Sequence, residues 1–125
     1  YILPSYIQQV GKFVYVEDLA EGNSLALKAV AKNKIYNLEG TEKVTIKQIA
    51  ETVLKLTGSS SKIEHTPARP GDFAGVEISA QKAKDELGWT AKTSFEEGVK
   101  KYIEWYKQEE ETAQKNMNKI HASLK

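Results

Sequence analysis

The segment 45–58, TIKQIAETVLKLTG, constrains the fold most because both its interior and its ends carry helix signals. Its apolar residues recur at the spacing that places them on one helix face: Ile46, Ile49, Ala50, Val53 and Leu54. Thr45 and Gln48 have the spacing of a capping box, and Gly58 stands where a left-handed residue ends a helix. The sequence therefore predicts a capped amphipathic helix that buries one face against other elements.

A second amphipathic helix is predicted in SFEEGVKKYIEWYKQ, residues 94–108, with Ser94 and Glu97 as its capping box. Tyr102 and Tyr106 share the apolar face of this helix, which favours core packing over a ligand-stacking surface. The run that follows carries almost no apolar stripe. We therefore expect residues 108–125 to be a polar tail that continues as a solvated helix or frays.

Two shorter helices and three strand-like runs complete the pattern. The helices are predicted at 17–31, where acidic Glu17 and Asp18 suit the N-terminal end, and at 79–87, where Gly88 ends the helix and Trp89 packs back on it. The runs KFVYV, KIYNL and KIEHT, at 12–16, 34–38 and 62–66, have strand composition. This βαβαβ order followed by two helices predicts an α/β fold that is rich in helix, with a few short, mainly parallel strands.

Composition narrows the class of protein. A chain of 125 residues with 40% apolar residues favours a single core. Eighteen Lys and Arg against seventeen Asp and Glu give a net charge of +1, so charge favours neither a nucleic acid nor a membrane as partner. The absence of cysteine excludes disulfides, thiolate metal sites and a cysteine nucleophile. With no long apolar run and no signal-peptide pattern at YILPSYIQQV, the expected location is the cytoplasm.

The long irregular stretch HTPARPGDFAG, residues 65–75, is the candidate binding loop. Two prolines restrict the backbone around Arg69, whose guanidinium matches a phosphate or carboxylate. Asp72 is placed to accept hydrogen bonds from sugar hydroxyls, so the pair would suit a nucleotide. From spacing alone, however, an ordinary surface ion pair between the two is the more frequent explanation.

No catalytic centre is recognisable in the sequence. It contains no glycine-rich turn of the type that cradles a dinucleotide or a nucleoside triphosphate, and no Tyr followed four positions later by Lys. His65 and His121 lie far apart without carboxylates at metal-ligand spacing, so no metal site is expected.

Four segments, taken in order, resemble the C-terminal part of the NAD-dependent nucleotide-sugar epimerases and dehydratases, the extended short-chain dehydrogenase/reductase family. They are GKFVYVEDLAEGNSLAL, KIYNLEGTEKVTIKQIAE, PARPGDFAGVEISAQKAKDELGW and KTSFEEGVKKYIEWY, and the likeness is greatest to members of the UDP-glucose 4-epimerase type. It covers residues 12–107 and leaves an unmatched segment at 1–11 and the tail at 108–125. The resemblance implies that this chain is a substrate-binding lobe and that the Rossmann domain of the family, which holds NAD, is missing.

The resemblance also implies roles for individual residues. In the family, the arginine of this loop contacts the substrate diphosphate and the nearby acid contacts the ribose, which correspond here to Arg69 and Asp72. Family members usually carry an Arg-Asp or Arg-Asn pair before the Phe-Val-Tyr-Val segment, where this chain has Gly11 and Lys12. Lys12 is expected to serve as a point charge for the diphosphate. The NAD site and the catalytic Tyr-Lys pair have no counterpart, so we expect no bound cofactor and no catalysis by this chain alone.

Three functions remain open at this point. The chain is the nucleotide-sugar-binding portion of an epimerase, a stand-alone module for UDP- or dTDP-sugars, or an interaction protein that descends from the family. A parent of the dTDP-sugar 4,6-dehydratase type fits the same motifs. The exposed strand 34–38 or the C-terminal helix would support self-association.

Overall fold

The computed structural model describes residues 2–4, 10–66 and 77–123. These residues contain four α-helices and four short strands. The helices are α1 (Val16–Leu25), α2 (Ile46–Thr57), α3 (Gln81–Leu87) and α4 (Phe95–Ser123), with a 3-10 turn at Ala29–Ala31. The strands are β1 (Ile2–Pro4), β2 (Val10–Gly11), β3 (Val44–Thr45) and β4 (Glu64–Thr66). β1 pairs with β4 in parallel, and β2 pairs with β3 antiparallel. The chain thus has an α/β fold dominated by helices.

The predicted helix at 45–58 is confirmed as α2, including both of its ends. The Gln48 amide donates to Thr45 Oγ1 at 3.1 Å, and the Thr45 amide donates to Gln48 Oε1 at 2.7 Å, which completes the capping box. Gly58 ends the helix with a φ of 64°, a left-handed conformation that costs glycine little. The capping box and the left-handed glycine depend only on residues of this segment, and both are present as predicted.

The core lies where α1 and α3 meet, and Trp89 is its centre. This side chain is only 1% exposed and packs with Ala31, Ala83 and Leu87. Its backbone amide bonds back to the carbonyl of Ala83 at 3.3 Å, just after the left-handed Gly88, so the predicted return of Trp89 onto α3 is confirmed. The indole Nε1 donates to the carbonyl of Asp18 at 2.8 Å, which ties α3 to the start of α1.

The predicted helix at 17–31 is wrong in its second half, because α1 ends at Leu25 and only a 3-10 turn follows. The run Gly22-Asn23-Ser24 consists of poor helix formers, and the Ser24 hydroxyl donates to the carbonyl of Ala20 at 3.0 Å. Gly22 packs closely here, since a Cβ would lie 2.6 Å from a Leu38 methyl and would displace that side chain. The poor helix formers in the last turn of α1 therefore favour its end at Leu25, which the apolar pattern alone does not predict.

Two of the three predicted strands are also wrong. Residues 12–15 and 34–38 carry no strand pairing among the described residues, so the predicted βαβαβ order fails. The third run is a strand at 64–66. It pairs in parallel, but with β1 and not with another predicted strand, and the β2–β3 pair is antiparallel, so the expectation of mainly parallel strands is not met among the described residues. Segment 34–38 is held by side chains instead: Glu86 accepts from Lys34 and Tyr36, both at 2.7 Å, while Ile35 stays 84% exposed. Strand composition does not make a strand where no neighbouring strand pairs with it.

Helix α4 continues through most of the predicted polar tail, and it is less buried than expected. It runs without a break to Ser123, so fraying of residues 108–123 is not observed, and residues 107–119 are all exposed. Near its start, Phe95 contacts Phe13 with ring centroids 5.7 Å apart. Tyr102 and Tyr106 are 59% and 49% exposed, so the prediction that they pack in the core is wrong. Other parts of the protein contact the first turn of α4, at Phe95 and Gly98, and Tyr102 and Tyr106 lie farther along the helix.

Candidate functional site

Lys12 is the candidate binding residue that the structure describes. It follows β2 and precedes α1, and its side chain turns toward Ile78, which follows residues 67–76 in the sequence. The ammonium donates to Glu39 Oε1 at 2.8 Å and lies 3.5 Å from the carbonyl oxygen of Ile78. Its side chain is 29% exposed, so the cation can be reached from solvent.

Gly40 sets the position of Glu39 beside Lys12. A Cβ at Gly40 would lie 1.8 Å from the carbonyl oxygen of Phe13, so only glycine lets these two backbone segments approach so closely. The approach brings the residue before Gly40 next to the residue before Phe13. As a result, the Glu39 side chain is only 11% exposed and directly contacts Lys12.

A second ion pair, Lys43 with Glu77, lies in the same neighbourhood. The hydrogen bond and charge of Glu77 raise the pKa of Lys43, and the charge of Glu39 adds to this effect. The hydrogen bond and charge of Lys43 lower the pKa of Glu77, and the charge of Lys12 adds to this effect. These four residues therefore form one lysine–glutamate cluster, with two positive and two negative charges.

The two loop residues predicted to bind a nucleotide, Arg69 and Asp72, lie outside the described residues. Glu77 and Ile78 are the first described residues after that stretch: Glu77 belongs to the cluster, and the ammonium of Lys12 lies 3.5 Å from the carbonyl oxygen of Ile78. The structure thus brings Lys12 close to Ile78, from which it is 66 residues distant in sequence. Chemically, the cluster offers ammonium groups to an anion, and it contains no hydroxyl, thiol or imidazole to act as a nucleophile.

An open groove of about 290 Å³ adjoins the cluster between α2 and the start of α4. Lys43 belongs to both the cluster and the groove. Val44 and Phe95 supply apolar wall, while Lys55 and Glu96 close one side with an ion pair of 2.7 Å. Among residues 2–4, 10–66 and 77–123, no group of three or more His, Asp or Glu is placed to hold a metal ion.

Glu17 and Asp18, the acidic residues at the start of α1, have separate partners. Glu17 is exposed and lies 3.8 Å from Lys101, whereas Asp18 is only 6% exposed and accepts from the amides of Lys92 and Thr93 at 3.1 and 2.8 Å. Burial raises the pKa of Asp18, but the hydrogen bonds from Thr93 and Lys92 outweigh it and hold this pKa below its ordinary value. Asp18 is therefore a charged structural link, which we call the Asp18 clamp.

Sequence reasoning found Lys12 but missed Glu39, Lys43 and Glu77. Lys12 and Glu39 are 27 residues apart, and Lys43 and Glu77 are 34 apart, so no local pattern joins them. The nearest signal is Gly40, a glycine two residues after the strand-like run 34–38, because glycine permits a close approach between backbone segments.

In the described part of the chain, no helix is long and apolar enough to cross a membrane.

Comparison with known proteins identifies relatives over most of the chain. A family model described as GDP-mannose 4,6 dehydratase matches residues 6–102. A UDP-glucose 4-epimerase of Corynebacterium glutamicum is 37% identical over 83 residues, which are 65% of this chain and 25% of that protein. A UDP-glucuronate 4-epimerase of Thermodesulfobacterium geofontis is 31% identical over 100 residues, or 80% of this chain and 31% of that protein.

Solved structures agree with these matches. The UDP-glucose 4-epimerase of Thermotoga maritima, crystallised with UDP-glucose, superposes with a TM-score of 0.77 at 28% identity, covering 86% of this chain and 34% of its own. The dTDP-glucose 4,6-dehydratase of Bacillus anthracis, crystallised with NAD, gives 0.77 at 26% identity, covering 88% and 35%. This chain therefore spans about a quarter to a third of the length of these similar proteins.

Proposed function

Since the chain belongs to the NAD-dependent nucleotide-sugar epimerase and dehydratase family of extended short-chain dehydrogenase/reductases, we propose that it forms the lobe that holds the nucleotide diphosphate of the substrate. The observation that carries the proposal is the position of Lys12, whose ammonium reaches the chain at Ile78, nine residues after Arg69 and six after Asp72 in the sequence. A substrate held there would place its diphosphate between cations that come from two separate segments.

Each residue has a distinct task in this proposal. Arg69 provides a planar fork of donors for paired phosphate oxygens, and Lys12 adds a point charge from another segment of the chain. Asp72 accepts hydrogen bonds from the ribose hydroxyls. The nucleotide is UDP in the leading version, since the curated and structural relatives include UDP-sugar epimerases, and dTDP in the alternative.

The proposed lobe binds the substrate but does not itself carry out the reaction. NAD supplies hydride transfer to the enzymes that bind it. The diphosphate of NAD is bound at a glycine-rich turn between a strand and a helix. The glycines of the described residues are spread along the chain and form no such turn: Gly11, Gly22, Gly40, Gly58, Gly88 and Gly98. The residues present do not fit NAD, so we assign no hydride or proton step to this chain.

Titration of the isotope-labelled chain with UDP-glucose, followed by its backbone amide NMR spectrum, tests the proposal. We expect saturable shifts at residues 11–13 and 66–79, lost in Arg69→Ala and weakened in Lys12→Met. Lys47→Met is the matched control, because Lys47 is exposed and bonds only to Glu51 on its own helix. A folded spectrum that does not respond to millimolar UDP-glucose would contradict the proposal.

A second candidate function, protein interaction, is favoured by the exposed face of α4. Four large side chains there are 49–59% exposed: Tyr102, Trp105, Tyr106 and Met117. This face and the exposed Ile35 of segment 34–38 are the two surfaces through which we propose self-association. Sedimentation that shows only monomer at high micromolar concentration would remove self-association.

A further inference from the structure

The cation proposed to hold the diphosphate is already neutralised. Lys12 donates to Glu39 at 2.8 Å, and the lysine–glutamate cluster as a whole sums to zero charge. An incoming diphosphate gains the attraction of Lys12 but meets the repulsion of a carboxylate that contacts the same ammonium. The cluster therefore sets anion affinity through its acids as much as through its lysines.

Glu39 and Glu77 differ in how far their side chains can move away from an anion bound at the cluster. Glu77 is 85% exposed, and its side chain can rotate into water together with the exposed Lys43. Glu39 is 11% exposed and follows directly from the contact between Gly40 and Phe13. Since the backbone of Glu39 is fixed by that contact, its carboxylate stays within reach of Lys12 when an anion arrives.

We propose that Glu39 is a built-in counter-ion that competes with the substrate diphosphate for Lys12 and so lowers the affinity of the site for nucleoside diphosphates. The inference rests on the proposed function, and it adds a residue that limits binding to the residues that promote it. Neutralising Glu39 frees the ammonium and gives the cluster a net charge of +1. Neutralising Glu39 should therefore strengthen binding of the phosphate groups and leave binding of the base and ribose unchanged.

The test compares Glu39→Gln with the wild-type chain by calorimetric titration with UDP, inorganic pyrophosphate and uridine. We expect Glu39→Gln to bind UDP and pyrophosphate roughly three- to tenfold more tightly at low salt, an effect that shrinks as salt increases. Uridine, which lacks phosphate, serves as the internal control and should show no change. Thermal unfolding of each variant confirms that it is folded.

Two further variants separate a local effect from one of total charge. Glu21→Gln makes the same charge change at a distance, since Glu21 pairs with Lys92 and is 43% exposed, and it should leave all three titrations unchanged. Glu77→Gln should tighten UDP binding less than Glu39→Gln does. Adding Lys12→Met to Glu39→Gln should remove most of the gain.

The outcomes distinguish this inference from the proposed function. One outcome overturns only this inference: the wild-type chain binds UDP and the Arg69→Ala variant does not, but Glu39→Gln binds UDP no more tightly than wild type. Glu39 would then not compete with the diphosphate for Lys12. If Glu39→Gln binds UDP where wild type does not, the counter-ion assignment is supported and the wild-type chain is not a nucleotide-binding lobe. If neither chain binds UDP or pyrophosphate, both proposals are overturned.

Discussion

Asp18 and Glu39 are both carboxylates with little exposure, but their hydrogen-bond partners differ in kind. Asp18 accepts from the backbone amides of Lys92 and Thr93, whereas Glu39 accepts from the flexible side chain of Lys12. A backbone amide cannot leave its acceptor without unfolding the segment that carries it. A lysine ammonium can exchange one anion for another by rotating its side chain.

This difference separates a structural region from a binding region. The Asp18 clamp and Trp89 together join α1 to the chain after α3, and both are almost fully buried. The lysine–glutamate cluster is linked by ion pairs between side chains, and Lys43 and Glu77 are mostly exposed. We expect substitutions in the first region to change stability and substitutions in the second to change anion binding.

Trp89→Ala should have the largest effect on stability. It removes the largest fully buried side chain and the hydrogen bond from Nε1 to the carbonyl of Asp18, so we expect a loss of about 3–5 kcal/mol in the free energy of unfolding. Urea unfolding followed by circular dichroism measures it. Trp105→Ala is the control, because Trp105 is 52% exposed on α4. Equal losses in both variants would mean that the core is not centred on Trp89.

Gly40→Ala should rank next, because it forces apart the two segments that form the cluster. The added methyl would lie 1.8 Å from the Phe13 carbonyl oxygen, and we expect a loss of about 3 kcal/mol in unfolding free energy. Gly98→Ala is the matched control: its Cβ would lie 3.3 Å from the ring of Tyr15, and alanine is the better helix former. If Gly40→Ala proves as stable as Gly98→Ala, the contact that fixes Glu39 does not exist.

Asp18→Asn should cost about 2 kcal/mol at neutral pH, because the buried amides of Lys92 and Thr93 lose a charged acceptor. The pKa of Asp18 is lower in the folded chain than its ordinary value of 3.8, so the unfolded chain binds the proton more readily. The stabilisation is therefore present above pH 3.8 and is lost as pH falls through the folded pKa.

Thermal unfolding of wild type and Asp18→Asn across this range measures the effect. The gap between them should close as the solution becomes acidic. Glu17→Gln, one residue earlier and exposed, should show no such gap. A gap that stays constant from neutral to acidic pH would contradict the clamp.

The sequence predicted the parts of this fold whose signals are local. The capping box of Thr45 and Gln48 and the left-handed Gly58 need only the residues of their own helix, so α2 was predictable with its ends. Segment 34–38 was not, because a strand requires a neighbour, and here Glu86 holds its side chains without a ladder. Tyr102 and Tyr106 show the same limit, since periodicity gives a face but not what covers it.

The candidate site was predictable only in part, for a related reason. Lys12 drew attention through the family resemblance, whereas its partner Glu39 has no pattern that could single it out. What joins them is the tight contact of Gly40 with Phe13, which is a property of packing. Ion pairs between distant segments become visible only when the fold brings their backbones together.

Glu77→Gln should have the smallest effect and is the sharpest check on the comparison. Glu77 is 85% exposed and its partner Lys43 is 60% exposed, so solvent replaces the lost pair and Tm should shift by less than about 2 °C. Glu39→Gln, which breaks the less exposed pair, should shift Tm more and tighten UDP binding more. If Glu77→Gln lowers Tm as much as Asp18→Asn does, the exposed ion pair of the cluster would stabilise the fold. The distinction between carboxylates bound by lysine side chains and carboxylates bound by backbone amides would then fail.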